Sequence, residues 1–139
     1  MTLFRRSLSD QEKFDMEMGP YRAATRGEVS SLDFFRTILP AGTDLKEVER
    51  EYLYHERYPF AEDFIHTAKQ LRGAGVSIGM FSNDITVWSE MLRERFGINH
   101  HFDLVVISDE AKARKPDRGI YEYFLRLLKE RALRPSQIY

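Results

Sequence analysis

The sequence contains no cysteine. That excludes a disulfide framework, thiolate metal sites and cysteine nucleophiles, and it agrees with a reducing compartment. Net charge is almost missing too, since 21 Lys and Arg stand against 22 Asp and Glu, a formal charge of −1. Such a chain has no global field to steer it onto nucleic acid or anionic lipid, which leaves small, individually recognised ligands. No stretch of about eighteen apolar residues exists, and no apolar segment follows Arg5 and Arg6 to make a secretory signal. Internal repeats and low-complexity tracts are also absent. Together these absences predict a soluble, cytoplasmic protein with no nucleic-acid and no membrane partner. What is present is an ordinary globular composition: 139 residues, 42% hydrophobic and 13% aromatic, the length of one domain.

The pattern divides near Tyr58-Pro59. Residues 1–58 read as helix, in three segments each opened by a cap: Ser9 with Glu12, Ser30 with Asp33, and Asp44 with Glu47. Phe34, Phe35, Ile38 and Leu39 form one apolar stripe; Leu45, Val48, Tyr52 and His55 form another. Residues 59–139 alternate helix and strand. Phe64, Ile65, Ala68 and Leu71 line a helix that Gly73 and Gly75 end, and Val76 to Phe81 is an apolar run of strand length. Asp84 is placed to cap the next helix, with Ile85, Trp88, Met91, Leu92 and Phe96 on its core face and Gly97 at its end. Phe102 to Ile107 reads as a second strand, Ser108 to Pro116 as a loop, and Ile120, Tyr121, Phe124, Leu127 and Leu128 as the face of a last helix. Pro135 to Tyr139 reads as a turn entering a third strand. This order implies right-handed crossovers, a parallel sheet and a partial doubly wound, Rossmann-like α/β architecture.

In such sheets ligands gather at the carboxyl ends of the strands. Ser82 ends the first strand, and with Asn83 and the start of the next helix it can form a small anion-binding corner. The same Ser82-Asn83-Asp84 is equally a capping box with no ligand. Lys115 precedes Pro116, which fixes its own φ and restricts its predecessor, so the ammonium has a set direction suited to phosphate. Lys112, Arg114, Lys115 and Arg118 also read as a solvated basic loop; no aromatic platform alternates with them to favour nucleic acid. His100-His101 reads as a solvated turn, because adjacent residues rarely both reach one metal and no third ligand is suitably spaced. His55 and His66 have ordinary roles on helices. Trp88, Phe34, Phe35, Tyr52 and Tyr58 are read as packing between the two halves.

Taken jointly, three segments resemble the haloacid dehalogenase-like (HAD) hydrolases. The stretch 75–83, ending in Phe81-Ser82-Asn83, resembles the second family motif. Phe102 to Glu110, followed by Arg114-Lys115-Pro116 and Gly119-Ile120-Tyr121, is similar to the third. Arg26-Gly27-Glu28-Val29-Ser30 with Phe34 or Phe35 resembles the helical cap of the subfamily I type, giving a cap over 1–58 and a partial core over 59–139. The resemblance implies that Ser82 hydrogen-bonds a phosphoryl oxygen, that Lys115 neutralises the transferring group, and that Asn83 offers its amide, with its side chain as a further donor, to the same anion. It implies a catalytic role for Lys115 and Ser82, substrate binding by Ser82, Asn83 and Lys115, and a part for Tyr21, Arg22 and Arg26 in choosing the substrate.

The family's first motif, an Asp-x-Asp whose first aspartate attacks phosphorus, is not in this sequence, and neither are the acidic residues of the fourth motif that bind Mg²⁺. The resemblance therefore predicts a fragment whose complete protein uses Mg²⁺ and an aspartyl-phosphate to hydrolyse a small phosphorylated metabolite. The chain alone is expected to bind no metal tightly and not to turn over. The alternatives are a 2-haloacid dehalogenase and a non-catalytic HAD-fold binding module. The missing neighbours of the 76–81 strand also predict self-association through an unpaired sheet edge.

Overall fold

The computed structural model describes residues 18–54 and 62–136, together with Ser9, Gln11, Asp15 and Ile138. The expected boundary at Tyr58-Pro59, the Glu12 half of the first cap, and Gln137 and Tyr139 of the expected third strand lie outside the described residues.

The helical half forms where its capping residues say it should. Helix α1 (Pro20–Thr25) opens on a proline, which needs no intrahelical donor at that position. Helix α2 (Ser31–Ile38) starts at Ser30, whose side chain accepts from the Asp33 N–H. Helix α3 (Leu45–Leu53) starts at Asp44, whose carboxylate accepts from the Glu47 N–H at 3.2 Å. Helix α4 (Glu62–Gly73) ends as expected on glycine: Gly75 takes a φ of +78°, and the Gly75 and Val76 amides fold back on Arg72 and Leu71. Ala68 of α4 is buried, whereas Leu71, expected on the same face, is exposed.

Strand β1 (Gly79–Ser82) and strand β2 (Leu104–Ile107) pair in parallel, Gly79 opposite Leu104 and Ser82 opposite Ile107. Both strands are shorter than the apolar runs that contain them. At their start Asp103 substitutes for ladder geometry: its N–H donates to the Ile78 carbonyl and its carboxylate accepts from the Ile78 N–H, both at 2.8 Å. Arg72 donates to the same carboxylate at 2.8 Å. Between the strands, α5 (Thr86–Arg95) ends at Gly97, φ +63°. A 3-10 turn, Asn99–His101, follows and buries His101, which the sequence placed in a solvated turn. A short helix α6 (Ser108–Ala111), closed by Lys112 in a left-handed conformation, occupies the start of the expected loop. Helix α7 (Arg118–Glu130) completes the α/β unit.

Two apolar clusters hold these elements. One joins Ala24, Phe34, Phe35, Val48 and Leu53 of the helical half to Ile85 and Trp88. Trp88 is its centre, with ring centroids of Phe34, Phe35 and Tyr52 at 5.7, 5.4 and 4.8 Å and its indole N–H donating to Glu49 at 2.6 Å. Phe34, Phe35, Tyr52 and Trp88 thus pack together as expected, and Tyr58 lies outside the described residues. The other cluster packs Ile120, Phe124, Leu127 and Leu128 of α7 on Leu104, Val106 and Phe81.

Candidate functional site

The carboxyl end of β1 brings together the residues the sequence singled out. Lys115 is exposed, and its ammonium donates to the Phe81 carbonyl at 2.8 Å, one residue from Ser82. An ammonium has three donors, so two remain for an anion. The Ser82 hydroxyl, half-buried, makes no hydrogen bond within the described residues.

Asn83 behaves differently from expectation. Its side chain is committed to the Lys115 backbone, accepting from the N–H at 2.8 Å and donating to the carbonyl at 3.1 Å, across a cis Lys115-Pro116 bond. It positions the lysine, and only its backbone amide is left for an anion. The start of α5 is also occupied. The Asp84 N–H donates to Ser108, the Ile85 N–H to the Asp84 carboxylate, and the Thr86 N–H to Asp109, at 3.0, 2.8 and 2.9 Å. Asp84 is therefore not the cap of α5: the helix begins later, and Asp109, reaching across from α6, takes both the amide and the hydroxyl of Thr86. Of the expected corner, the groups left for an anion are the Ser82 hydroxyl, the Asn83 backbone amide and the Lys115 ammonium.

Two carboxylates meet the start of α5: Asp84, which the sequence placed as its cap, and Asp109, which lies in the expected loop. Burial pushes the Asp84 carboxyl up to about 6; the Ile85 N–H opposes that shift and the nearby Asp109 charge adds to it. Ser108, fully buried, bridges the Asp84 N–H and carbonyl. No local pattern announces this, because burial here comes from α6 folding back against the start of α5.

Of the expected substrate-selecting residues, Tyr21 donates to the Asn83 carbonyl at 3.3 Å. Arg26 pairs with Asp117 at 2.8 Å, and its Nε is buried without a partner among the described residues. Arg22 is half-buried and forms no ion pair within those residues.

The family profile of haloacid dehalogenase-like hydrolases matches residues 7–138, nearly the whole chain. The chain belongs to that family. As a HAD-like hydrolase it is 42% identical over 62 residues to a glyceraldehyde 3-phosphate phosphatase of Methanothermobacter thermautotrophicus, covering 43% of this chain and 26% of the relative. It is 35% identical over 75 residues to the enzyme of the same name from Methanopyrus kandleri, covering 52% and 30% of the two chains. It is also 36% identical over 55 residues to pyrimidine 5'-nucleotidase YjjG of Escherichia coli, covering 40% and 24%. The matched segments span less than a third of each relative. No solved structure matches the chain significantly.

Among the described residues no three of His, Cys, Asp or Glu are grouped to hold a metal ion. Asp84 and Asp109, at the start of α5, are already engaged with Ile85 and Thr86. The described residues thus do not by themselves fit a Mg²⁺ site. No described helix is long and apolar enough to cross a membrane.

Proposed function

We propose that this HAD-like hydrolase chain carries the phosphate-binding corner of a phosphatase acting on a small phosphorylated metabolite. The observation that carries the reading is the Lys115 ammonium held 2.8 Å from the carbonyl of Phe81, the residue before Ser82, whose hydroxyl is unengaged among the described residues. Lys115 would neutralise charge on the phosphoryl group and Ser82 would donate one hydrogen bond, both electrostatic roles in which position matters more than reactivity. That three relatives are named for phosphate-ester hydrolysis supports phosphate over a haloacid. Hydrolysis through an aspartyl-phosphate needs a nucleophile and Mg²⁺ carboxylates that the residues described here do not supply. In this reading the 139-residue chain binds phosphate without turning over an ester.

The test is a titration of the chain with inorganic phosphate, followed by the amide resonances of Ser82, Asn83 and Lys115. Saturable shifts at these positions are expected, with chloride at equal ionic strength as the control. Lys115→Ala should weaken binding by about tenfold or more, the low end for a charge-assisted hydrogen bond. The same sample should release no phenolate from an aryl phosphate. Shifts that survive Lys115→Ala unchanged would reject the assignment.

We also propose that β1 self-associates. In the two-stranded sheet no described strand lies on the outer edge of either strand, and bare edges recruit other chains.

A further inference from the structure

The loop that presents Lys115 is held at several points by one short stretch of the helical half. Lys112 donates to the Gly27 carbonyl at 3.0 Å. Arg114 donates to the hydroxyl of Thr25, which is fully buried, and its guanidinium lies 5.8 Å from the Tyr21 ring centroid. Asp117 accepts from Arg26 at 2.8 Å. Tyr21 reaches the Asn83 carbonyl, and the Asn83 side chain grips Lys115 itself. Gly27 closes the approach: at φ +66° a Cβ there would collide with the Lys112 ammonium and the Asp109 carbonyl. Residues 112, 114 and 117 are thus bonded to residues 25–27, and residue 115 is bonded to Asn83.

We infer that Thr25, Arg26 and Gly27 are the positioning residues of the anion corner: they fix the direction of Lys115 by holding the loop on both sides of it, without touching the anion. This rests on the proposed function for its purpose, but the geometry is independent of any ligand. Loop residues have little apolar burial of their own to restrain them, and Lys115 is exposed, so its direction depends on these bonds. Thr25 is the most informative of the three. Its hydroxyl donates to the Tyr21 and Arg22 carbonyls while accepting from Arg114, so a residue of the same shape without the hydroxyl cuts the latch and keeps the packing.

The experiment compares Thr25→Val and Thr25→Ser in the full chain by amide hydrogen exchange, without phosphate and then with it. Thr25→Val should speed exchange at the Lys115 N–H by about tenfold and shift the Asn83 side-chain amide resonances, leaving Val106 in β2 unchanged. Thr25→Ser keeps the hydroxyl and should match the parent chain in both. Phosphate affinity should fall with Val and be retained with Ser. If Thr25→Val loosens every amide, Arg26→Gln, which releases only Asp117, decides in its place and should speed exchange at Lys115 in the same selective way. Unchanged Lys115 protection in the deciding variant would overturn the inference. Failure of the parent chain to bind phosphate, with the exchange response intact, would remove the proposed function and leave the latch standing.

Discussion

Asp84 gives the sharpest expectation at the scale of single residues. A free aspartate titrates near about 3.9, whereas burial lifts Asp84 to about 6 in the fold. The folded state therefore holds the proton more tightly than the unfolded chain. The stability this contributes is present below about pH 3.9 and is lost as pH rises through about 6. Asp84→Asn retains an acceptor for the Ile85 N–H and has no charge to bury. Its melting temperature, relative to the parent chain, should rise as pH goes from about 4 to about 7. A difference that stays flat over that range would remove burial as the cause. The sequence showed this residue but not its state. A Ser-Asn-Asp run after a strand announces a cap by residue type alone, and only the fold reveals that α6 covers the carboxyl and that Asp109 does the capping. Ser82 and Lys115 stand out in the sequence because each occupies a fixed place relative to a strand end or a proline. Asn83 stands out beside Ser82, yet its side chain's commitment to the Lys115 backbone joins positions 32 apart and leaves no local trace.

Among the elements, those governed by short-range chemistry were read closely. Ser30 and Asp44 each satisfy an orphan N–H three residues on, and Gly75 and Gly97 supply the left-handed φ that ends a helix. Helix α6 escaped notice because four residues, Ser-Asp-Glu-Ala, carry no periodicity. The strands were overread at their starts, where Asp103 rather than a neighbouring backbone meets the Ile78 amide. The packing of α2 and α3 on α5 turns on Trp88, which is 1% exposed. Trp88→Ala removes the ring that Phe34, Phe35 and Tyr52 all contact and leaves the Glu49 carboxylate without its donor. Urea unfolding should report a loss of about 3–5 kcal/mol. A loss under about 1 kcal/mol would mean that the helices do not depend on this contact, being well below what such cavities cost.

For the whole molecule, the order of strand ends, lysine-proline and apolar stripes was enough to place the chain in its family. The latch between residues 25–27 and 112–117 was not legible: its bonds join positions 85 to 91 apart, and the same basic residues read equally well as a solvated loop. The sheet edges matter at this scale. If β1 recruits a second copy, sedimentation should show apparent mass rising with concentration in the micromolar range, and a charge placed on the outer edge by Met80→Lys should suppress the rise. A concentration-independent monomer would dismiss the self-association. A different consequence follows from where Trp88 sits. It is the chain's single tryptophan, and it lies where residues of the helical half meet the helix that follows β1. Every photon of indole emission therefore originates at this junction, with the Glu49 carboxylate on the ring N–H. Intrinsic fluorescence thus becomes a label-free reporter of whether the two halves are docked, available in every titration and melt without introducing a dye.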